Sequence, residues 1–321
     1  MLTRIIDWLI YSVLGMELTS KTAEALHFFI YDTIKILLLL FVMISFVGFL
    51  RSFISQKKIK KWLSGKKIKG HFFASLFGAT TPFCSCSSIP IFLGFLKGGV
   101  PLGVALSFLI TSPLINEYLV VLMFGFFGIK ITVLYVLSGL FIGIFSGHIL
   151  GRMNLERYIE PRNLPVPLEK IEGKRFNSIK QRLLFGINEA KNIVKKLWIW
   201  VIVGVGVGAI IHNYLPREFI QSAIEKTGFF GVPLSALLGV PMYGNCAAIV
   251  PVAVALFRKG IPLGTALAFM MATSALSFPE AVILRQGMKL KLIAIFFAIT
   301  TLGIIFTGYL FNILEVLLVA G

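Results

Sequence analysis

The sequence predicts an all-α polytopic membrane protein built from two inverted repeats. Three observations support this prediction: the 321-residue chain is 57% hydrophobic and 14% charged, it contains several long apolar stretches, and its second half repeats its first. Soluble domains are about 45–50% apolar and about 25% charged. The composition therefore excludes a soluble enzyme and a disordered chain, and three cysteines do not make a disulfide scaffold.

The chain begins with an expected interfacial segment, residues 1–26, in which Asp7 interrupts an apolar run and no signal-peptide cleavage site follows. The first membrane repeat is predicted at 27–151. A spanning helix needs about 20 largely apolar residues. The stretches near or above this length in the first repeat are Ile36–Leu50 with Ala25–Tyr31, Phe72–Leu96, Gly98–Asn116 (continuing past Glu117) and Ile131–Gly151.

A basic cytoplasmic linker is predicted at 152–192, where clustered prolines argue against a long helix. The second membrane repeat is predicted at 193–314. Its apolar stretches are Leu197–Pro216, Thr227–Phe257, Gly260–Pro279 and Leu292–Leu314.

The two halves correspond at an offset of 161 residues. Lys97–Phe108 and Arg258–Phe269 share seven identities in twelve positions, and the same offset pairs Gly78 with Gly239. An offset maintained through most of a chain indicates duplication, and internal repeats in polytopic proteins are typical of transporters.

The charge distribution predicts that the repeats are inverted. Residues 57–69 contain seven lysines and no acid, whereas the corresponding loop at 214–228 has two basic and two acidic residues. Lysine and arginine concentrate on the cytoplasmic side, so equivalent loops of such different charge should lie on opposite sides. The linker should share the cytoplasmic side with 57–69, which places both termini outside. This topology explains the net charge of +17 without nucleic-acid binding, which we do not expect.

An even number of crossings must then separate 57–69 from the linker, although three apolar stretches lie between them. We expect Phe72–Leu96, broken at Thr81–Pro90, to enter and leave by the same face. Its partner is Thr227–Phe257, broken at Gly239–Pro251. Each repeat then has about three spanning helices plus a broken or re-entrant helix pair. Two full-length broken helices would instead give parallel repeats.

The two breaks form the predicted substrate site, because irregular backbone at membrane depth persists only where it is buried in protein or lines a cavity. All three cysteines fall in these breaks, and Cys246 corresponds to Ser85. Thiols are soft ligands that suit thiophilic solutes, and a helix start favours the thiolate. The predicted substrate-binding residues are Cys84, Ser85, Cys86, Ser87, Asn245 and Cys246.

Packing is the alternative role for these cysteines, because cysteine is also a small apolar residue. Ser87 or Ser88 is expected to cap the helix after the first break, and Asn245 is the possible cap in the second. We predict no catalytic residue, metal or cofactor. The histidines near segment ends are expected at the interface rather than as metal ligands: His71, His148 and His212.

Two carboxylates inside apolar segments are candidates for proton coupling, since burying a charge in a membrane is costly. Glu117 follows TSPLIN, and Glu280 follows TSALSFP, two positions away from the repeat offset. A buried carboxyl group can carry a proton. The alternative is that either residue caps a half-helix or pairs with a lysine.

The motifs TPFCSCSSIPIFLGFLKGGVPLG and GVPMYGNCAAIVPVAVALFRKGIPLGTA resemble the predicted permease family that includes the ArsP-type organoarsenical efflux permeases. The resemblance extends from about Ile34 to Asn312. It implies a multi-pass permease of a prokaryotic cell membrane. Characterised members export trivalent organoarsenicals, with cysteines of the first motif implicated, so the resemblance points to Cys84 and Cys86.

We therefore predict a secondary permease, not an enzyme, that exports a small thiophilic solute such as a trivalent organoarsenical. A nucleotide-binding G-x-x-x-x-G-K-[ST] motif is absent from the sequence, so an ion gradient or a partner would supply energy. The alternatives are a membrane thiol–disulfide redox protein and a passive channel or assembly subunit. The expected partners are the solute and the lipid bilayer.

Overall fold

The computed structural model describes residues 6–8, 21–51, 68–81, 85–160, 178–214, 228–242 and 246–319, and this part of the chain is helical without a β-strand. The helices are α1 (Lys21–Arg51), α2 (Ile68–Thr80), α3 (Ser85–Lys97), α4 (Leu102–Leu114), α5 (Glu117–Arg152), α6 (Ile179–Tyr214), α7 (Gly231–Gly239), α8 (Cys246–Arg258), α9 (Leu263–Ala275), α10 (Phe278–Leu284) and α11 (Leu290–Val319). Helix α6 thus begins inside the segment expected to be linker.

Four stretches of the described residues are long and apolar enough to cross a membrane: Phe29–Phe46, Leu119–Arg152, Leu263–Leu284 and Leu290–Glu315. Large apolar side chains are exposed along them, as expected where lipid replaces water; Val121, Leu302 and Ile313 are examples. The predicted all-α membrane architecture is confirmed.

The helices of the two halves follow the same order. Helices α3 and α4 begin and end 161 residues before α8 and α9, the offset that relates the sequences. Helix α5 turns sharply at Gly128, where φ is 76°, a value that glycine adopts without strain. Its two parts, α5a (117–127) and α5b (129–152), correspond to α10 and α11, with Gly287 in the second turn.

Helix α2 runs parallel to α4. At the start of α2, the His71 Nδ1 atom lies 2.9 Å from the Ser107 hydroxyl. Near the end of α2, Gly78 lies against the backbone at Ser112. The residue numbers of the two helices therefore increase in the same direction.

Helix α3 runs antiparallel to α4. The Ser88 and Ser112 hydroxyls, at the start of α3 and the end of α4, share a hydrogen bond of 2.7 Å. Farther along α3, the rings of Phe95 and Phe108 lie 5.2 Å apart. Helices α2 and α3 thus run in opposite directions as a hairpin. Each has 13 residues, about 20 Å of helix, against about 30 Å of hydrocarbon.

A second interruption separates α4 from α5a. Helix α5b packs antiparallel along α4, with Gly139 against Ile115 and Gly151 against Gly103. The chain reverses at Gly128, so α4 and α5a run in the same direction as one discontinuous helix. The apolar stretch predicted from Gly98 past Glu117 therefore forms two helices, with a break at Ile115–Asn116.

The second half shows why the chain breaks there. Ser277 precedes α10 and accepts a hydrogen bond of 3.4 Å from the Glu280 backbone N–H. Pro279 stands in the first turn, where its missing N–H has no intrahelical partner to lose. These start signals begin a new helix directly after α9 ends.

Helices α1 and α6, which correspond at the repeat offset, pack antiparallel. Near the start of α6, Gly186 lies against Ser45 near the end of α1. Near the end of α6, Gly206 lies against Phe29 near the start of α1. Each of these helices therefore packs against its own duplicate, which runs in the opposite direction.

Helices α5b and α11 form a second antiparallel pair of duplicates. Gly303 in α11 lies against its own counterpart, Ile142 in α5b. Beyond the end of α5b, the Tyr158 carbonyl accepts a hydrogen bond of 2.9 Å from the Lys289 backbone N–H, just before α11.

The start of the linker is fastened to the α10–α11 turn. The Arg285 guanidinium donates to the Glu160 carboxylate at 3.1 Å, and the Glu160 N–H donates to the Gly287 carbonyl at 2.9 Å. The Lys291 ammonium lies over the Tyr158 ring, and hydrogen bonding from it holds the pKa of the Tyr158 hydroxyl below its ordinary value. These contacts place the α10–α11 turn on the linker side of the protein.

Candidate functional site

The two halves contact each other through the elements that carry the interruptions. Helix α3 packs on α10, and α8 packs on α5a, where the rings of Phe127 and Phe257 lie 5.8 Å apart. Helix α4 also contacts its duplicate α9. The outgoing helix of each hairpin thus packs on the discontinuous helix of the other half.

The predicted thiol site falls at two helix starts. Helix α3 begins at Ser85 and α8 begins at Cys246, which confirms the correspondence of these positions. Cys86 and Ser87 lie in the first turn of α3, where backbone N–H groups have no intrahelical partner. Cys84 and Asn245 each directly precede a helix and lie outside the described residues. A joint site for the three thiols stays a prediction.

Ser88 does not cap the helix after the first break. Helix α3 starts three residues earlier, at Ser85, so Ser87 and Ser88 both lie within the helix. The Ser88 side chain is completely buried and bonds to Ser112 on α4. Its role is to fix α3 to α4 one turn before the break at Ile115–Asn116. The sequence expectation of a cap at Ser87 or Ser88 is therefore wrong.

Glu280 is completely buried in the first turn of α10. Its side chain is 0% exposed, and neither carboxyl oxygen has a hydrogen-bond partner. The contact to Ser277 uses the backbone N–H of Glu280 and leaves the carboxyl group free. A charged carboxylate without a partner is costly to bury. A buried ionisable group of this kind in a membrane segment is a candidate functional residue.

Glu117 lies in a different environment. It is exposed at the start of α5a. Helices α5a and α10 begin at equivalent positions, so Glu117 corresponds to Phe278 and Glu280 corresponds to Leu119. The shift of two residues noted in the sequence therefore places the two carboxylates at non-equivalent positions.

His71, at the start of α2, is buried against α4 and α5, and its expected place at the membrane interface stays a prediction. It is 3% exposed, contacts Ser107, and its ring lies edge-on to that of His148 at 5.2 Å. Close packing at glycines lets the three helices approach here. Within the described ranges, three or more potential metal-ligating side chains do not cluster anywhere.

The family model described as predicted permease, ArsP_1, matches residues 21–313. A candidate subunit of a two-component membrane permease complex from Streptococcus mutans is 25% identical over 224 residues, 69% of this chain and 71% of the relative. UPF0718 protein YcgR of Bacillus subtilis is 21% identical over 268 residues, with coverages of 82% and 89%. UPF0718 protein MJ0584 of Methanocaldococcus jannaschii is 23% identical over 327 residues, with coverages of 84% and 87%.

No solved structure matches the chain. The family match covers α1 to α10 and most of α11. Together with the long apolar helices, it establishes a multi-pass membrane protein. The sequence-based recognition is confirmed: the chain belongs to the ArsP_1 family of predicted permeases.

Proposed function

We propose that the protein is a secondary permease whose two halves are inverted relative to each other across the membrane. The antiparallel packing of duplicated helices carries this proposal: α1 meets α6, and α5b meets α11, in reverse directions. Repeats related by an axis along the membrane normal would place duplicated helices side by side in the same direction. Inverted repeats with a site at broken helices are a common design of secondary transporters.

The topology can be tested at the two equivalent turns. Helix α5b has 24 residues, about 36 Å, and separates the Gly128 turn from the linker, whereas the Gly287 turn is fastened to the linker. Lys130 and Lys289 are exposed beside these turns. With Cys84, Cys86 and Cys246 replaced by serine, Lys130→Cys should react with an impermeant maleimide from outside the cell.

Lys289→Cys should react only after the cytoplasmic face is opened. Detergent-solubilised protein is the control, because both cysteines should then react. Labelling of both variants from the same side of intact cells would contradict inverted halves.

Within this architecture, we assign the coupling proton to Glu280. Its carboxyl group is buried, lacks a partner and lies on the helix of the second half that packs against α3 of the first. Protonation would remove the cost of the buried charge. Glu117 is exposed and is not its structural counterpart, which favours Glu280 as the coupling residue.

The proposed cargo is a small thiophilic solute, of which a trivalent organoarsenical is the example, exported from the cytoplasm. Cys86 and Cys246 lie at the starts of helices α3 and α8, and each of these helices contacts the opposite half. Thiolate sulfur binds soft ions and metalloids well. Cys84 is assigned to the same site by the sequence motif.

Uptake into everted vesicles tests the cargo. Wild type should accumulate a trivalent methylarsenical, and Cys84→Ser/Cys86→Ser should lower accumulation to the level of empty vesicles, because the soft ligands are lost. Ser88→Ala is the matched control, since Ser88 lies on the same helix but bonds to Ser112. Undiminished uptake by the double variant would remove the thiols from the site. Failure of wild type to accumulate the methylarsenical would remove this substrate class.

A further inference from the structure

Helices α1 and α6 form an arm that is attached to the rest of the protein at two places. Along their length they pack on each other. Among the described helices, the substantial contacts of this arm to the remainder are α1 with α3 and α6 with α10. These two supports also contact each other, so the arm lies on one side of the protein, against α3 and α10.

The attachment of the arm breaks the correspondence between the halves. At the repeat offset, the contact between α1 and α3 corresponds to a contact between α6 and α8. The contact between α6 and α10 likewise corresponds to a contact between α1 and α5a. Neither of these counterpart contacts is substantial among the described helices. Other contacts do occur in both halves. The contact between α2 and α4 is matched by the contact between α7 and α9, and the contact between α3 and α10 is matched by the contact between α8 and α5a. The asymmetry is therefore concentrated at the arm.

Equivalent residues on α3 and α8 record the same asymmetry. Pro90 and Gly94, one turn apart on α3, are buried, whereas their counterparts Pro251 and Ala255 on α8 are exposed. Both pairs are small or compact, so each face allows another helix to approach closely. The face that is covered on α3 is thus present but uncovered on α8.

Helices α10 and α5a differ in the same way. Val282 on α10 is partly buried, whereas its counterpart Val121 on α5a is 67% exposed. The uncovered positions on α8 and α5a are therefore the counterparts of covered positions on the two supports of the arm. Helices α8 and α5a also contact each other, as α3 and α10 do.

We propose that α8 and α5a form a second docking face for the α1–α6 arm, and that the protein alternates between the two attachments. In the second conformation α6 packs on α8, and α1 packs on α5a. Duplicated sequences supply similar surfaces for both conformations, so the two differ little in packing free energy and a bound ligand can shift their populations. The exchange removes α6 from α10, the helix that carries Glu280.

This inference rests on the proposed permease function and identifies the α1–α6 arm as the part that moves during transport. It links the environment of the coupling carboxyl to the position of the arm. A proton bound at Glu280 then influences which attachment is populated, provided that the affinity for the proton differs between the conformations.

Distance measurements between spin labels test the exchange. Labels are attached to a ketone-bearing amino acid, which leaves the three native cysteines in place. One protein carries labels at Ile199 and Val282 on α6 and α10; a second carries them at the counterparts Leu38 and Val121 on α1 and α5a. A pair at Phe72 and Phe145, on α2 and α5b, is the control because these helices pack within one half and do not exchange.

In lipid nanodiscs between pH 5.5 and pH 8, both test pairs should show two distance populations. In one population the distance between the labels of one test pair should be shorter by about 10 Å, which is one helix diameter, and the distance in the other test pair should be longer. The distance between the labels of the control pair should stay constant. In the Glu280→Gln variant, the proportions of the two distance populations should stay the same across this pH range. A single, unchanged distance for both test pairs, or lengthening of both together, would overturn the exchange. Arsenical flux with unchanged distances would reject the exchange and leave the permease standing; exchange without flux would reject only the proposed cargo.

Discussion

Replacement of Glu280 by glutamine is expected to abolish proton-driven accumulation of the cargo. Glutamine keeps the size of the side chain but does not exchange a proton, so the variant loses the step that links the gradient to transport. One pH unit of gradient is worth about 1.4 kcal/mol, or about a tenfold accumulation ratio for each proton exchanged. In everted vesicles with one unit of imposed gradient, accumulation by Glu280→Gln should therefore fall by about tenfold, to the passive level.

Glu117→Gln is the matched control for this experiment. Glu117 also lies in the first turn of the second part of a discontinuous helix, but it is exposed and occupies the position equivalent to Phe278. Its substitution should leave most of the gradient-driven accumulation intact. Full accumulation by Glu280→Gln, or its loss in Glu117→Gln alone, would contradict the assignment. Downhill exchange of cargo by Glu280→Gln, measured without a gradient, would show that the substituted protein remains folded and functional.

The interruptions of the chain were only partly predictable from the sequence. The hairpin breaks are conspicuous because proline, glycine and cysteine cluster in otherwise apolar stretches. The breaks within the two discontinuous helices are short, and the apolar pattern continues through them. Ser277 followed by Glu280 has the S-x-x-E spacing of a capping box, with Pro279 between them, and this signal would have identified the second of these breaks.

Burial was harder to predict than helix position. Glu117 and Glu280 follow similar sequences, yet helix packing leaves one exposed and buries the other. His71 similarly stands next to a basic segment in the sequence but is enclosed by three helices. The asymmetric attachment of the arm has no sequence signal, because duplicated segments supply similar surfaces and only the three-dimensional contacts distinguish them.

Alanine at Gly103 or Gly264 is expected to destabilise the protein strongly. These glycines are counterparts, and each lies against the backbone of a second helix: a Cβ at Gly103 would come within 2.6 Å of the Gly147 carbonyl, and one at Gly264 would collide with the Gly308 carbonyl. Backbone cannot rotate away as a side chain can. Overpacking a filled interior costs about 1–3 kcal/mol, and we expect each variant to reach at least the upper end of this range.

Thermal unfolding in detergent measures this effect, and Gly125 is the control, since a Cβ added there would meet nothing within 4 Å. Gly125→Ala should be neutral or stabilising by up to about 1 kcal/mol, because alanine favours a helix. If Gly264→Ala unfolded at the same temperature as Gly125→Ala, the close contact would not determine stability. The Gly103→Ala/Gly264→Ala double variant should lose the sum of the two effects, because the contacts lie in different halves and share no partner. Such additivity would mean that each half is held together by its own copy of the glycine contact.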